Sequence, residues 1–440
     1  MTRLEPSYGK DGQPKPAAID TSDAQFALDL VKAICKDVGP GLPGTSKERE
    51  RAAAIKKELE VHLDAGNVAT EEFTVAPNAF LGSLILSGIF VIVAALLNVS
   101  TGSLSGISSL VTSMPSLVFS IMPLLLFVVE FVYSFEIIDS LFGKRQSVNV
   151  IGTLRKPGTT SVKRLLILSG HHDSAWENTW LRLPGYGFFV ATFTWIAGMI
   201  TMLVMAVIQL TGVITVDTGI IRIGTLNWIL LAYPILPSVI LSLAYNIRRG
   251  NGGSVPGAAD NLSACGVVVA MCRFLVRNPE CIPADTEIRF VTFGSEEAGL
   301  RGSRRYVERH LEELKRLDAR LLNLEIVAYR EIGILSSEIN GTVKNSPEMV
   351  RSVVAAADRA GVPYREKPAS LGVAGDAGPF SRAGIKATTL LSFKMPQQML
   401  AFYHQKWDRP EVLSIEPILN TLKTCFEWIN SGGRTDLDEP

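Results

Sequence analysis

Charge is absent from three long blocks of this chain and ordinary elsewhere. No Asp, Glu, Lys or Arg occurs between Phe73 and Val129, between Leu183 and Val216, or between Ile223 and Ile247. A bilayer-crossing helix needs about 20 apolar residues. The blocks predict four of them: Phe80–Leu97, Ser116 to about Phe135, Phe188–Leu210 and Leu226–Tyr245. Taken in order these form two transmembrane hairpins, over residues 77–145 and 183–248. Buried core helices, or an apolar layer joining two copies of the chain, are the plainer alternative. Stretches this long exceed the mean helix of about 11–12 residues.

Two hairpins return the chain to the side it left. The flanks on that side carry Lys144, Arg145, Arg182, Arg248 and Arg249, whereas the outer loops around 98–115 and 211–225 hold only Asp217 and Arg222. Basic residues collect on the cytoplasmic side of membranes, so an integral protein of the cell membrane with its hydrophilic part in the cytoplasm is expected. Residues 1–24 are polar, with Pro and Gly and no apolar stretch of a signal peptide; they read as a flexible tail. Residues 433–440 form a short C-terminal tail.

The hydrophilic remainder, residues 25–76, 146–182 and 249–432, reads as one α/β domain interrupted twice. Residues 25–66 predict two helices around a Gly/Pro break, the second starting near Ser46. Glu71–Val75 and Val148–Leu154 read as a β-hairpin whose connection is the first apolar block. The continuous apolar run Leu165–Ser169 suits a buried parallel strand, and Ile288–Phe293, Leu321–Ile326 and Ala387–Leu391 read as similar strands. Helical stretches Ser263–Val276, Arg301–Lys315 and Pro347–Ala360 lie between them. This alternation predicts a mostly parallel mixed sheet flanked by helices, with its site beyond the carboxyl ends of the strands.

Composition adds exclusions. Lys+Arg and Asp+Glu are both 43, for a net charge of zero, which argues against a nucleic-acid partner. Five cysteines show no zinc-binding spacing; Cys265 and Cys272 share one face of an apolar helix and read as core thiols, kept reduced in a cytoplasmic setting.

The strand ends carry the candidate chemistry. His171-His172-Asp173-Ser174 follows the first apolar strand, Gly257-Ala258-Ala259-Asp260-Asn261 opens a helix, and Ser295-Glu296-Glu297-Ala298-Gly299-Leu300-Arg301-Gly302-Ser303 follows the next strand. Glu325 stands near the end of a further strand and Tyr403-His404 in a loop after the last. Each is unremarkable alone: His-x-Asp suits a surface turn, paired glutamates a solvated loop, and Asp-Asn a helix cap. Together, at successive strand ends, His171, Asp260, Glu297, Glu325 and His404 are nitrogen and oxygen donors that suit zinc. His62 and His310 lie in charged helical stretches and read as solvated, His172 as a plain neighbour, and Glu130 as an interfacial residue.

HHDS, AADN, SEEAGLRGS, NLE and YHQKWD, with GDAGPFSRAGIKA before the last, resemble the successive motifs of the co-catalytic zinc aminopeptidase family, relatives of bacterial leucyl aminopeptidases, glutamate carboxypeptidase and glutaminyl cyclase. The resemblance runs from about residue 25 to 430 outside the apolar inserts. It implies a zinc exopeptidase fold holding two Zn²⁺. Asp260 would bridge them, His171 and Glu325 would complete one site, and Glu297 and His404 the other. Glu296 would be the general base, Asp173 the carboxylate orienting His171, and the Asp260–Asn261 peptide cis. Glu325 stands where such aminopeptidases more usually have Asp, Ala377 where the family often has His, and HQKWD departs from the common HT-x-x-D.

The expected function is therefore a membrane-anchored metallo-exopeptidase acting on peptides, most simply an aminopeptidase. Carboxypeptidase-like or glutaminyl-cyclase-like activity on the same fold is the alternative, and a non-catalytic membrane scaffold the alternative of another class. Because the second hairpin leaves after His171–Trp180 and returns before Asp260, the site mouth is expected near the bilayer, facing a hydrophobic or membrane-associated peptide. The lipid bilayer and a second copy of the chain are the remaining expected partners.

Overall fold

The fold was analysed in a computed structural model, which describes residues 17–103, 107–183, 186–216 and 253–435. Asp20 starts helix α1 (Thr21–Asp37): its carboxylate accepts the Ser22 N–H while Asp23 takes the Asp20 N–H, a reciprocal cap. Helix α1 thus takes in residues 21–24 of the stretch expected to be a flexible tail. Thr45 caps α2 (Ser46–His62) by accepting the Glu48 N–H.

Strands β1 (Val68–Val75) and β2 (Arg145–Arg155) pair antiparallel, with Val75 opposite Arg145. The first apolar block leaves from the tip of this hairpin as α3 (Ala79–Ser103) and α4 (Ile107–Leu126). Both helices outrun the sequence expectation, and the outer loop placed at 98–115 contracts. The reason is local: Ser100 and Thr101 donate to the carbonyls of Leu96 and Leu97, so polar residues continue the helix instead of ending it. α4 continues into a wider, π-type turn over Phe127–Val132. There Glu130 is buried and accepts the Ile138 N–H (3.0 Å), closing the turn.

α5 (Gly187–Val216) packs across this pair, burying Trp195, Met199 and Met202 against Leu84, Val91 and Ala95. Three segments here, Ala79–Thr101, Leu110–Val132 and Gly187–Thr211, are long and apolar enough to cross a membrane. Ala258–Arg277 also meets that measure, but it is buried inside the fold as core. The fourth expected crossing, Leu226–Tyr245, lies outside the described residues.

The remaining chain builds one mixed sheet, in the order β1-β2-β4-β3-β5-β10-β6-β9. Its members are β3 (Arg164–His171), β4 (Thr286–Phe293), β5 (Arg320–Glu325), β6 (Ile332–Leu335), β9 (Tyr364–Lys367) and β10 (Lys386–Leu391) beside the hairpin; β7 (Ser337–Glu338) and β8 (Val343–Lys344) pair separately. The central strands β4, β3, β5 and β10 are parallel, and antiparallel pairs join β2 to β4 and β10 to β6. Alternation sends Leu166 and Leu168 into one layer and Leu165 and Ile167 into the other. The first layer holds α1, α2, α6 (Ser263–Arg277), α8 (Pro347–Ala360) and α11 (Ile415–Asn430); the second holds α7 (Arg301–Arg316) and α9 (Ala377–Arg382). Cys265, Cys272 and Cys425 are buried thiols in the first layer.

The apolar helices are fastened to this domain by charge. Glu136, just past α4, pairs with Arg301, Arg304 and Arg305 of α7, and Asp139 with Arg301 (2.9 Å). Asn340 donates to the carbonyls of Phe131 and Val132. His310 is likewise engaged rather than solvated, 2.6 Å from Glu71, and His62 is mostly buried, its ring edge-on to Phe26.

The start of α7 fixes the loop between β4 and α7. Asn149 bridges it, donating to Gly302 O (3.0 Å) and accepting the Gly294 N–H (3.1 Å). A Cβ on Gly302 would lie 2.2 Å from Gly294 O and 2.9 Å from Gly294 N, backbone with nowhere to move. Gly302→Ala is therefore expected to cost about 1–3 kcal/mol or more, read as a lowered Tm; an unchanged Tm contradicts this packing.

Candidate active site

The carboxyl edge of the sheet gathers the polar residues the sequence singled out. His171 is the last residue of β3 and Glu325 the last of β5; Glu296 and Glu297 follow β4 by a short loop. Asp260 lies in the turn Ala258–Leu262 that opens α6, and His404 follows α10 (Gln397–Ala401) after β10. All five expected ligands and Glu296 meet at one cleft.

Asp260 organises them into two groups. Its Oδ1 is 3.3 Å from His171 Nε2, which also lies 3.6 Å from Glu325 Oε2. Its Oδ2 is 3.1 Å from His404 Nε2, which lies 3.2 Å from Glu297 Oε1. Zinc bonded at about 2.0–2.1 Å in a tetrahedron spaces its ligands about 3.3 Å apart, close to the imidazole–carboxylate distances of 3.1–3.6 Å in both groups. Glu297 Oε1 is buried without a hydrogen-bond partner, an orphan acceptor that a cation would satisfy. His171, Asp260 and Glu297 also converge as a three-donor set. Glu296 Oε2 stands 3.7 Å from His171 Nε2, beside the cluster.

The supporting residues are less legible in the sequence. Asp173 lies 3.3 Å from His171 Nδ1, which has no hydrogen-bond partner; its two oxygens accept the backbone N–H groups of Glu296 (3.1 Å) and Glu297 (3.0 Å). It therefore holds the loop bearing the two glutamates as well as facing the imidazole. Asp408 accepts the Ala259 and Asp260 N–H groups, at 2.7 and 3.0 Å. Asn261 and Asn323 donate to the two oxygens of Glu325, at 2.7 and 3.0 Å, and so fix that longer arm. These three stood inside the quoted motifs AADN, NLE and YHQKWD, yet only their place in the fold shows what they hold. The Asp260–Asn261 peptide is cis. His172 turns away from the cluster, its Nδ1 3.2 Å from Thr292 Oγ1, and burial pushes it down to about 4, leaving it neutral. Ala377, where a His was the family habit, is fully buried at the start of α9.

Electrostatically the cluster is built for cations. Burial opposes charge on His171, but the Glu296 and Glu325 carboxylates outweigh it and hold the imidazole well above its usual range. Burial likewise opposes charge on His404, and Glu297 and Asp260 overcome it. Burial, then the charges of Glu297 and Glu325, push Glu296 up against the pull of His171. Carboxylates that keep protons on neighbouring imidazoles would exchange them for a bound metal.

A further buried acid, Glu338, is outside the ligand groups but near enough to feel the charge of Glu325. Glu338 accepts the Gly375 N–H (3.1 Å) and is fully buried, and burial raises it from 4.5 to about 8. A carboxyl raised on folding contributes stability in full below its unfolded value, and that stability is lost as pH rises through the folded one. Wild-type Tm is thus expected to fall more between pH 5 and pH 9 than that of Glu338→Gln, which keeps the acceptor without the titration. Parallel Tm profiles would contradict this.

The cleft above the cluster has a volume of about 410 Å³, and its walls come from both materials of the chain: Phe80, Phe131 and Trp195 from the apolar segments, Leu371 and Met399 from the sheet domain. The root of α5 is tied to the cluster, since Asn178 N–H donates to the carbonyl of His404 (2.8 Å).

Residues 244–429 match the model of Peptidase family M28. The matched region holds Asp260, Glu296, Glu297, Glu325 and His404; His171 and Asp173 precede it, separated by the second apolar block. The chain is 32% identical over 177 residues to the aminopeptidase YwaD of Bacillus subtilis (strain 168), covering 40% of this chain and 34% of that protein. It therefore spans about a third of that relative's length. In fold, the chain is similar to a zinc aminopeptidase from Bacillus subtilis (15% identity, TM-score 0.52, 95% of this chain and 96% of that one). It is equally similar to an aminopeptidase from Aneurinibacillus sp. strain AM-1 (14%, 0.53, 96% and 97%). A glutaminyl cyclase from an Acidobacteriales bacterium is as close (13%, 0.52, 95% and 97%). At these identities the likeness shows the shared α/β fold.

Proposed function

We propose that the protein is a membrane-embedded zinc aminopeptidase in which His171, Glu325 and Asp260 hold one zinc ion and His404, Glu297 and Asp260 the other. The observation that carries this reading is Asp260, whose two oxygens each face a separate imidazole–carboxylate pair. Bound zinc would supply Lewis-acid polarisation of the scissile carbonyl and a water acidified toward neutral pH.

The chain's own groups do the rest. Glu296, beside the cluster and outside both ligand groups, takes the proton of the attacking water and returns it to the leaving amine; burial and neighbouring carboxylates raise its affinity for that proton. Asp173 holds the Glu296–Glu297 backbone, so base and ligand stay on different sides of one loop. Asn261 and Asn323 orient Glu325, and Asp408 orients the turn of Asp260. The apolar cleft excludes bulk water and strengthens each of these interactions.

In this reading α3, α4 and α5 cross the bilayer, supported by their length and composition. The basic flanks Lys144, Arg145 and Arg182 support a cytoplasmic catalytic domain. The purified, zinc-loaded protein in detergent should release the first residue of peptides with a free amino terminus and leave N-acetylated copies intact. Equal cleavage of both, or of neither, would contradict the aminopeptidase reading. A cyclase-like activity is favoured only by the shared fold with a solved glutaminyl cyclase, and would convert N-terminal glutamine without releasing it.

A further inference from the structure

The cleft over the metal cluster has an acidic floor and aromatic walls. Its floor holds His171, Asp260, Glu296, Glu297, Glu325 and His404. The wall begins at the general-base loop, where Phe80 packs so closely on Gly299 that an added Cβ would meet the ring at 3.2 Å. From Phe80 the rings run on continuously: Phe80 stacks on Phe131 (5.7 Å between centroids), Phe131 on Phe127 (5.4 Å), and Phe127 meets Trp195 edge-on (5.2 Å). These side chains belong to α3, the turn after α4, and α5, the segments proposed to cross the bilayer.

The mouth is apolar on both lips. Phe193 of α5 is 64% exposed and Leu371, on a loop of the sheet domain, is 48% exposed; both line the cleft. The cleft therefore opens where an apolar helix and a soluble loop meet, the level of a membrane surface. A polar segment entering there would lose its water against walls that are almost wholly hydrocarbon, the Trp195 indole N–H being the one unpaired donor among those rings. Two bound zinc ions would offset the charge of Asp260, Glu297 and Glu325 but leave the Glu296 carboxylate, which disfavours a phospholipid phosphate beside it and can pair with the free amino terminus of an apolar chain.

We propose that this cleft takes an apolar peptide segment from the bilayer, amino terminus first, with the aromatic wall of the inserted helices seating the side chains on either side of the scissile bond. The proposal rests on the aminopeptidase reading for the fate of that segment, but its test does not need turnover. The Glu296→Gln chain, reconstituted in phosphatidylcholine vesicles, is photolabelled with the peptide amide Leu-benzoylphenylalanine-Leu-Leu. Controls are its N-acetylated copy and a Ser/Gly analogue with the same photoreactive residue.

Labelling is expected within residues 127–131 and 188–195, about tenfold above both controls. It should fall about tenfold in a Phe193→Ser, Leu371→Ser double variant, two exposed positions whose change leaves the core untouched. Equal labelling by the acetylated or polar peptide, labelling confined to other residues, or no loss in a folded double variant would each overturn the proposal. Specific labelling of a protein that turns over no peptide would keep the binding site and refute the aminopeptidase reading alone.

Discussion

Glu296→Gln is expected to lower kcat by about 10²–10⁴-fold while leaving bound zinc unchanged. The amide has nearly the shape of the carboxylate but cannot take a proton at neutral pH. Glu296 lies beside the cluster, 3.7 Å from His171 Nε2, and its neighbour Glu297 is the residue directed at His404. A base that does not ligate should separate activity from metal content, with kcat falling more than KM. Loss of zinc together with activity would instead make Glu296 a ligand, and unchanged kcat would remove it from the mechanism.

Asp260→Asn is expected to act on both. An amide offers one acceptor oxygen where the carboxylate faces His171 with one and His404 with the other. Bound zinc should fall to one ion per chain or fewer, and turnover should drop at least as far as in Glu296→Gln. The fold should persist, because Asp408 holds residues 259 and 260 through their backbone N–H groups, which the substitution keeps. Elemental analysis beside kcat separates the two variants: one keeps its metal and the other does not. Two zinc ions retained in Asp260→Asn would contradict the bridging assignment.

What the sequence made legible, and what it left hidden, follows from the range of the interactions. β3, β4, β5 and β10 are buried on both faces, so they appear as short, mainly apolar runs interrupted only by residues such as Arg289, Asn323 and Thr389. Their ends mark the edge of the sheet, and the structure brings together there the six side chains chosen from those ends. β6 and β9 have four residues each, too few for a pattern to register. The ends of α3 and α4 were misplaced because Ser and Thr read as loop, although here their hydroxyls bond within the helix. Residues that act through backbone contacts were also hidden: a motif shows Asp173 beside His171, but not that its oxygens reach the N–H groups of Glu296 and Glu297.

The joint between the apolar and hydrophilic parts was the least legible. Glu136 meets Arg301, Arg304 and Arg305 across a long stretch of chain, and only the fold makes them neighbours. Those arginines stand in the first turns of α7, directly after the loop that carries Glu296 and Glu297. The first apolar block therefore braces that loop through Glu136.

The pairing of ligands around Asp260 is open to direct measurement by counting zinc, with anomalous scattering and elemental analysis on the purified full chain. Two ions per wild-type chain are predicted, one beside each imidazole, with His171→Ala and His404→Ala each retaining the other ion. A single ion in the wild type, or none, would contradict the two-metal peptidase site.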